Sequence, residues 1–118
     1  MESVLRDKSY SFALRIVRLY RYLKNEHREY VLSKQVLRSG TSIGALVREA
    51  QYAQSRKDFI NKLSVSLKEA NETDYWLNLL KDTSYISEKM HESIESDVKE
   101  LIKILTSSIK TTKKAVNN

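Results

Sequence analysis

RSGTSIGALVREA (residues 38–50) and LSVSLKEANETDYWL (residues 63–77) are the two stretches that decide the fold of this chain. In each, apolar or small side chains recur at alternating spacings of four and three residues, the pattern of a helix that buries one face in a bundle. Charged groups stand beside both apolar stripes. Because charges are costly to bury unless they are paired, the two stretches predict neighbouring helices joined by a polar seam.

The same spacing recurs along the whole chain and predicts four amphipathic helices. Their predicted bounds are roughly 3–24, 29–53, 56–81 and 88–111, with a frayed tail over 112–118. Ser55 and Asp58 predict a capping box for the third helix, and Ser87 is the expected N-cap of the fourth. Because short connections make neighbouring helices antiparallel, we predict one domain over residues 1–118, an all-α up-down-up-down four-helix bundle.

Composition limits the classes of protein that the chain resembles. It has no proline, two glycines and no cysteine, which favours helices and rules out disulfides and thiolate metal sites. The first residues lack the apolar run of a signal peptide. No apolar run approaches the roughly 20 residues that a membrane-spanning helix needs. We therefore expect a soluble, cytoplasmic protein.

The net charge of +6 makes nucleic acid the leading class of charged partner. A charge that only favours solubility explains the same value about equally well. Basic residues recur every three residues along the first predicted helix with tyrosines between them, and further lysines follow the last acidic residue, Glu100. Basic side chains contact phosphates and tyrosines stack on bases; the alternative is a solvated helix face whose tyrosines pack at an interface. The predicted nucleic-acid-binding residues are Arg15, Arg18, Arg21, Lys24, Lys110, Lys113 and Lys114.

The second and third helices are predicted to form a hairpin that turns near residues 54–55, so residues whose numbers sum to about 109 lie at one level. This register brings Arg38 within one helical turn of Glu69 and Glu72. Arginine suits such a position because its planar fork holds two carboxylates. A structural ion-pair network in the core that fixes the helix register is the interpretation we favour; the alternatives are a ligand-binding cleft and surface decoration. The predicted polar network contains Arg38, Ser39, Ser42, Glu49, Glu69 and Glu72.

Gly40 and Gly44 are four residues apart and expose bare backbone on one face of the second predicted helix. Each glycine costs about 1 kcal/mol in a helix interior. A close-packing groove explains that cost, and its occupant is the first helix, a neighbouring subunit or a ligand.

Metal-binding and catalytic motifs are weak. Glu88 and His91 form a Glu-x-x-His pair, which is half of a di-iron carboxylate site. The second copy is missing, and the other histidine, His27, falls in a predicted loop. There is no Cys/His pair, nucleophile elbow or phosphate-binding glycine loop. We predict no catalytic residue, no metal, no cofactor and no enzymatic activity.

Several motifs together resemble one known family. They are Leu37–Ala45, Glu49-Ala50, Asp58-Phe59, Lys62-Leu63, Leu67–Ala70, Glu72-Thr73 and Tyr75–Leu77. The pattern resembles the four-helix-bundle proteins encoded in intervening sequences of bacterial large-subunit ribosomal RNA genes, over nearly the whole chain. One departure is Leu46, where that family usually has asparagine.

The resemblance implies an antiparallel bundle that assembles into a ring-shaped homo-oligomer, a homopentamer, without catalytic activity. The chain is also similar to accessory proteins of diversity-generating retroelements, which are basic pentameric bundles that bind nucleic acid and a reverse transcriptase. We therefore expect a non-enzymatic oligomeric bundle that binds structured RNA or an RNA/DNA hybrid. The alternative is a protein-binding scaffold or accessory subunit, for example for a reverse transcriptase.

Overall fold

Four α-helices account for nearly all of the chain in a computed structural model, which describes the backbone of residues 2–117 and the side chains of residues 4–115. Their bounds are α1 Glu2–His27, α2 Leu32–Gln51, α3 Arg56–Asp82 and α4 Glu88–Asn117. Each helix packs against the next one and α4 returns to α1, which gives a bundle of 51 × 21 × 20 Å. The described residues contain no strand, so the all-α prediction is confirmed.

The core is built from the positions that the four-and-three spacing selected. The largest fully buried side chains include Phe12, Ile16, Leu23, Ile43, Leu63, Leu77, Leu80, Leu101 and Leu105. Three small polar residues share the apolar stripes and are also buried. The hydroxyls of Ser39 and Thr73 are hydrogen-bonded at 2.9 Å, and Ser66 Oγ donates to the carbonyl oxygen of Ile43 at 2.9 Å. These bonds join α2 to α3 inside the core.

The connection between α1 and α2 differs from the prediction because a glutamate side chain caps α2. The carboxylate of Glu29 accepts from the backbone N–H groups of Val31 (3.2 Å), Leu32 (3.1 Å) and Ser33 (2.6 Å). A carboxylate is favoured there because the first N–H groups of a helix lack partners and the helix dipole attracts negative charge. The helix α2 therefore begins at Leu32, three residues after the predicted start, while α1 continues to His27.

The other helix ends follow their caps. Ser55 Oγ accepts from the N–H of Asp58 at 3.0 Å, and Ser87 Oγ accepts from the N–H of Met90 at 3.1 Å, so both predicted caps are confirmed. The structure continues α4 to Asn117, over most of the tail 112–118 that was predicted to fray; Asn118 lies outside the described residues. No glycine or proline interrupts this segment, and Thr112 Oγ1 donates to the carbonyl oxygen of Ser108 at 2.8 Å.

The glycines of α2 face α1, and the first helix occupies the close-packing groove expected at Gly40. A Cβ atom at Gly40 would lie 2.7 and 2.8 Å from Cγ1 and Cγ2 of Ile16, and one at Gly44 would lie 3.2 Å from the carbonyl oxygen of Ser9. Ile16 is fully buried and branched at Cβ, so it has little freedom to move aside. The absence of a side chain at Gly40 thus permits the close approach of α1 and α2.

We predict that Gly40→Ala lowers the free energy of unfolding by about 1–2 kcal/mol, because overpacking against Ile16 outweighs the roughly 1 kcal/mol gained in helix propensity. In an Ile16→Ala background the same substitution should be neutral or stabilising, since the clash is gone. Urea titration of the four proteins tests this. An equal loss in both backgrounds would contradict the close approach.

Candidate nucleic-acid interface

Arg15, the first of the predicted phosphate-binding residues, is bound to α4 within the bundle. Its Nη1 atom donates to Asp97 Oδ2 at 2.7 Å and to the carbonyl oxygen of Ser93 at 3.2 Å, and its Nη2 atom contacts Ser93 Oγ at 2.9 Å. A phosphate contact by Arg15 would have to break this bidentate arrangement. Arg15 therefore differs from the other predicted phosphate-binding residues of α1, because its guanidinium already has partners on α4.

Arg18, Arg21 and Lys24 are exposed on α1, and none of them makes an ion pair among the described residues. Lys24 Nζ lies 5.4 Å from the centroid of the Tyr20 ring, within the range of a cation–π contact. The contacts of Gly40 with Ile16 and of Gly44 with Ser9 put α1 and α2 residues whose numbers sum to about 55 at one level.

This register puts Lys34 at the level of Arg21, and Arg28 follows the end of α1. Both side chains are exposed and unpaired in the described part of the chain. Sequence reasoning missed them because one lies in a connection and the other on the next helix; the antiparallel register is the signal that finds Lys34. We call Arg18, Arg21, Lys24, Arg28 and Lys34 the α1 basic surface.

The tail lysines lie at the other end of the bundle. Lys8 Nζ contacts Glu100 Oε1 at 3.1 Å, and Arg15 pairs with Asp97 as described above, so the start of α1 packs beside the second half of α4. At 1.5 Å per helical residue, Lys113 is about 30 Å from Arg18 along the bundle axis. Lys110 and Lys114 flank Lys113 and, like it, are exposed. The structure therefore divides the predicted nucleic-acid-binding residues into two groups.

The polar network between α2 and α3 has the predicted partners. Arg38 Nη1 lies 3.1 Å from Glu69 Oε1, and its Nη2 atom pairs with Glu72. The indole N–H of Trp76 donates to Glu72 Oε2 at 3.0 Å. This indole hydrogen bond and the Arg38 guanidinium hold the pKa of Glu72 below its usual value. About three helical turns further along α2, Glu49 pairs with Lys62 of α3 at 3.1 Å.

The network lies at the bundle surface, which corrects the expectation that it is part of the core. The Arg38 side chain is 49% exposed and that of Glu69 is 20% exposed. Ser39 turns inward to Thr73, whereas Ser42 Oγ donates to the carbonyl oxygen of Arg38 at 2.6 Å, within its own helix. The two serines thus satisfy their hydroxyls without the ion pairs, because α2 directs Arg38 and Ser39 to different sides.

A second polar cluster joins α3 to α4 and accounts for His91. His91 is buried, and its Nε2 atom lies 2.7 Å from Asn78 Oδ1 and 3.5 Å from Glu95 Oε2. A hydrogen bond with Asp74, burial and the charge of Asp74 raise the pKa of Glu95. The Oδ1 atom of Asp74 is buried and receives no hydrogen bond from the described residues. No group of three or more His, Asp or Glu side chains in the described chain is arranged to hold a metal ion.

An open groove of about 660 Å³ lies between α1 and α2. Small and apolar residues form much of it, among them Tyr10, Ala13, Gly44 and Ala45. Tyr10 is 64% exposed, and Leu14 is 42% exposed on the same side of α1. A surface of this kind suits contact with another macromolecule. None of the helices, within the described residues, has the length and apolar character to cross a bilayer.

We predict that Arg38→Ala costs about 1 kcal/mol or less at neutral pH, because half-exposed ion pairs contribute little to stability. The contribution of Glu72 is present above the pKa that it has in the unfolded chain, and is lost as the pH falls through its lower folded pKa. The difference between wild type and Arg38→Ala should therefore disappear in acid.

Urea unfolding at neutral and acidic pH measures this difference, with Ser42→Ala as the control because that hydroxyl bonds only within α2. A loss of about 3 kcal/mol or more for Arg38→Ala would mean that the pairs behave as buried ones.

Comparison with known proteins places the chain in a family. Residues 2–107 match the family model described as 23S rRNA-intervening sequence protein. The crystal structure of a protein with unknown function, from the S23 ribosomal protein family of Bacteroides thetaiotaomicron, superposes with a TM-score of 0.92 at 60% sequence identity, covering 92% of this chain and 97% of that one. No curated protein matches the chain. The resemblance is thereby confirmed: the chain belongs to the 23S rRNA-intervening sequence protein family.

Proposed function

We propose that the protein binds structured RNA or an RNA/DNA hybrid through the α1 basic surface, without catalysing a reaction. The observation that carries the proposal is the contrast within α1. Lys8 and Arg15 are held in ion pairs with α4, whereas Arg18, Arg21 and Lys24 are exposed and unpaired among the described residues.

Unpaired cations favour a polyanion because binding breaks no existing ion pair and releases counterions from the phosphates. The nearest acidic residues do not cancel the charge of the surface: Glu29 is turned inward to cap α2, which leaves Glu26 as an exposed acid in this region. Tyr20 lies under Lys24, and Tyr30 is 51% exposed two residues after Arg28. Tyrosines beside cations allow unpaired bases to stack as well.

The test is the double substitution Arg18→Gln/Arg21→Gln, titrated against a structured RNA at graded salt. Each lost phosphate contact should reduce the slope of log affinity against log salt by about 0.7–0.9, so the double variant should lose about 1.4–1.8 and bind more weakly.

The matched control is Arg56→Gln/Lys89→Gln, which removes the same charge at two exposed positions outside the α1 basic surface and outside the α1–α2 groove. Equal slopes for wild type and the Arg18/Arg21 variant would move the interface elsewhere. An absence of binding to RNA, DNA and hybrid at low salt would end the proposal.

The α1–α2 groove supports a second role, contact with a protein. We propose that its occupant is another copy of the chain, in a ring-shaped homo-oligomer of five subunits. Support comes from the apolar character of the groove and from the exposed Tyr10 and Leu14 beside it. An accessory role toward another protein, such as a reverse transcriptase, would use the same groove with a different occupant.

Light scattering of the purified protein distinguishes these occupants. We expect a particle of five chains, and Ala45→Glu should reduce its mass because a charge in the groove opposes burial. A monomer at micromolar concentration would contradict self-assembly and favour the accessory role.

A further inference from the structure

A second basic surface occupies α3 and α4 at the end of the bundle opposite the α1 basic surface. Residues 54–68 and 99–118 contain nine basic and two acidic residues. Both acids are engaged, since Asp58 Oδ2 accepts from the backbone N–H of Gln54 and Glu100 pairs with Lys8. The first half of α3 and the second half of α4 therefore carry a surplus of positive charge that the acidic residues of the same segments do not balance.

Lysines share one outward face on each of the two helices. On α4, Lys103, Lys110 and Lys114 are separated by seven and four residues, and on α3, Lys57 and Lys68 are eleven residues apart, so each set lies on one side of its helix. All five side chains are exposed and make no ion pair among the described residues. We call these five residues together with Lys113 the α3–α4 lysine face.

The antiparallel register aligns the two sets. Lys99 pairs with Asp74 at 3.3 Å and His91 contacts Asn78, so α3 and α4 residues whose numbers sum to about 170 are level. Lys68 is therefore level with Lys103, and Lys57 is level with Lys113. Each helix thus presents a row of unpaired lysines over the same stretch of the bundle axis, and a polyanion that contacts a row lowers the repulsion between its like charges.

The chemistry of this face suits the phosphate backbone of a duplex. It offers lysines and small polar residues such as Ser64, with no exposed aromatic ring between Lys57 and Lys68 on which an unpaired base would stack. It also has no large exposed apolar side chain there to enter a membrane. Contacts made by lysines alone position a duplex without reading its sequence.

The two basic surfaces lie on different pairs of packed helices. The α1 basic surface lies on α1 and α2 and the lysine face on α3 and α4, in a bundle about 20 Å thick. Along the axis, Lys103 is about 15 Å and Lys113 about 30 Å from Arg18. We propose that the α3–α4 lysine face is a second nucleic-acid site, which binds the backbone of a double strand, so that one chain bridges two segments. The bridging, though not the second site itself, rests on the function proposed for the α1 basic surface.

The experiment compares wild type, Lys103→Gln/Lys110→Gln/Lys114→Gln and Arg18→Gln/Arg21→Gln against an RNA duplex of about 20 base pairs, which is longer than the bundle. Two readouts are taken: the salt dependence of fluorescence anisotropy, and energy transfer between donor-labelled and acceptor-labelled duplexes mixed in equal amounts. Glutamine keeps helix propensity, and circular dichroism verifies that the exposed substitutions leave the fold intact.

The lysine variant should still bind the duplex but with a salt slope reduced by about 2–2.7, and it should lose the energy transfer. Unchanged slope or persistent transfer would overturn the proposal, the latter because copies of the α1 basic surface in an oligomer would then bridge by themselves. Binding to anionic vesicles is measured as well. If the lysine variant loses vesicle binding that the wild type has, while its duplex binding is unaffected, the proposal is overturned in favour of a lipid surface.

The failure of this inference is distinct from that of the proposed function. If the Arg18/Arg21 variant binds as wild type does while the lysine variant loses affinity, the lysine face is the principal site and the α1 basic surface is not. If neither the wild type nor either variant binds any nucleic acid, both proposals fail together.

Discussion

The register of α2 between its two neighbours is the constraint on which the rest of the structure depends. On one side, Gly40 admits Ile16 so closely that even a methyl group would clash. On the other, Ser66 donates to the backbone of Ile43 and Ser39 bonds to Thr73. Buried polar groups carry a cost of about 1–3 kcal/mol when they lose their partners. A slide of α2 along either neighbour would therefore lose hydrogen bonds or create overlap.

This register decides which charges meet and which remain free. It brings Arg38 to Glu69 and Glu72, and the closure of the bundle brings Arg15 to Asp97. Most of the basic side chains without an ion pair among the described residues belong to the α1 basic surface or the α3–α4 lysine face. Since ion pairs at the bundle surface add little stability, the fold does not need those free cations, and their concentration at two sites is better explained by binding to a polyanion.

The core and the pairing of α2 with α3 could be predicted from the sequence because both follow from periodicity. The spacing that selected Ile43, Leu63 and Leu77 as buried residues also fixes which residues of a hairpin are level, and so it found the partners of Arg38. The exposure of the Arg38 ion pairs was not predicted. Arg38 lies one residue from the fully buried Ser39, yet a rotation of about 100° per residue turns it to the surface.

Contacts between helices distant in sequence were the harder part. Nothing in the α1 sequence distinguishes Arg15 from Arg18, and only the position of α4 shows that Arg15 has a partner in Asp97. The carboxylate cap of Glu29 was missed for a related reason, since glutamate is not a usual residue before a helix. The most direct test of the account is the salt dependence of wild-type binding to a structured RNA and to matched DNA. The account predicts a slope of about −3 or steeper, from the five free cations of the α1 basic surface. Affinity that does not change with salt, or no binding at low salt, would contradict it.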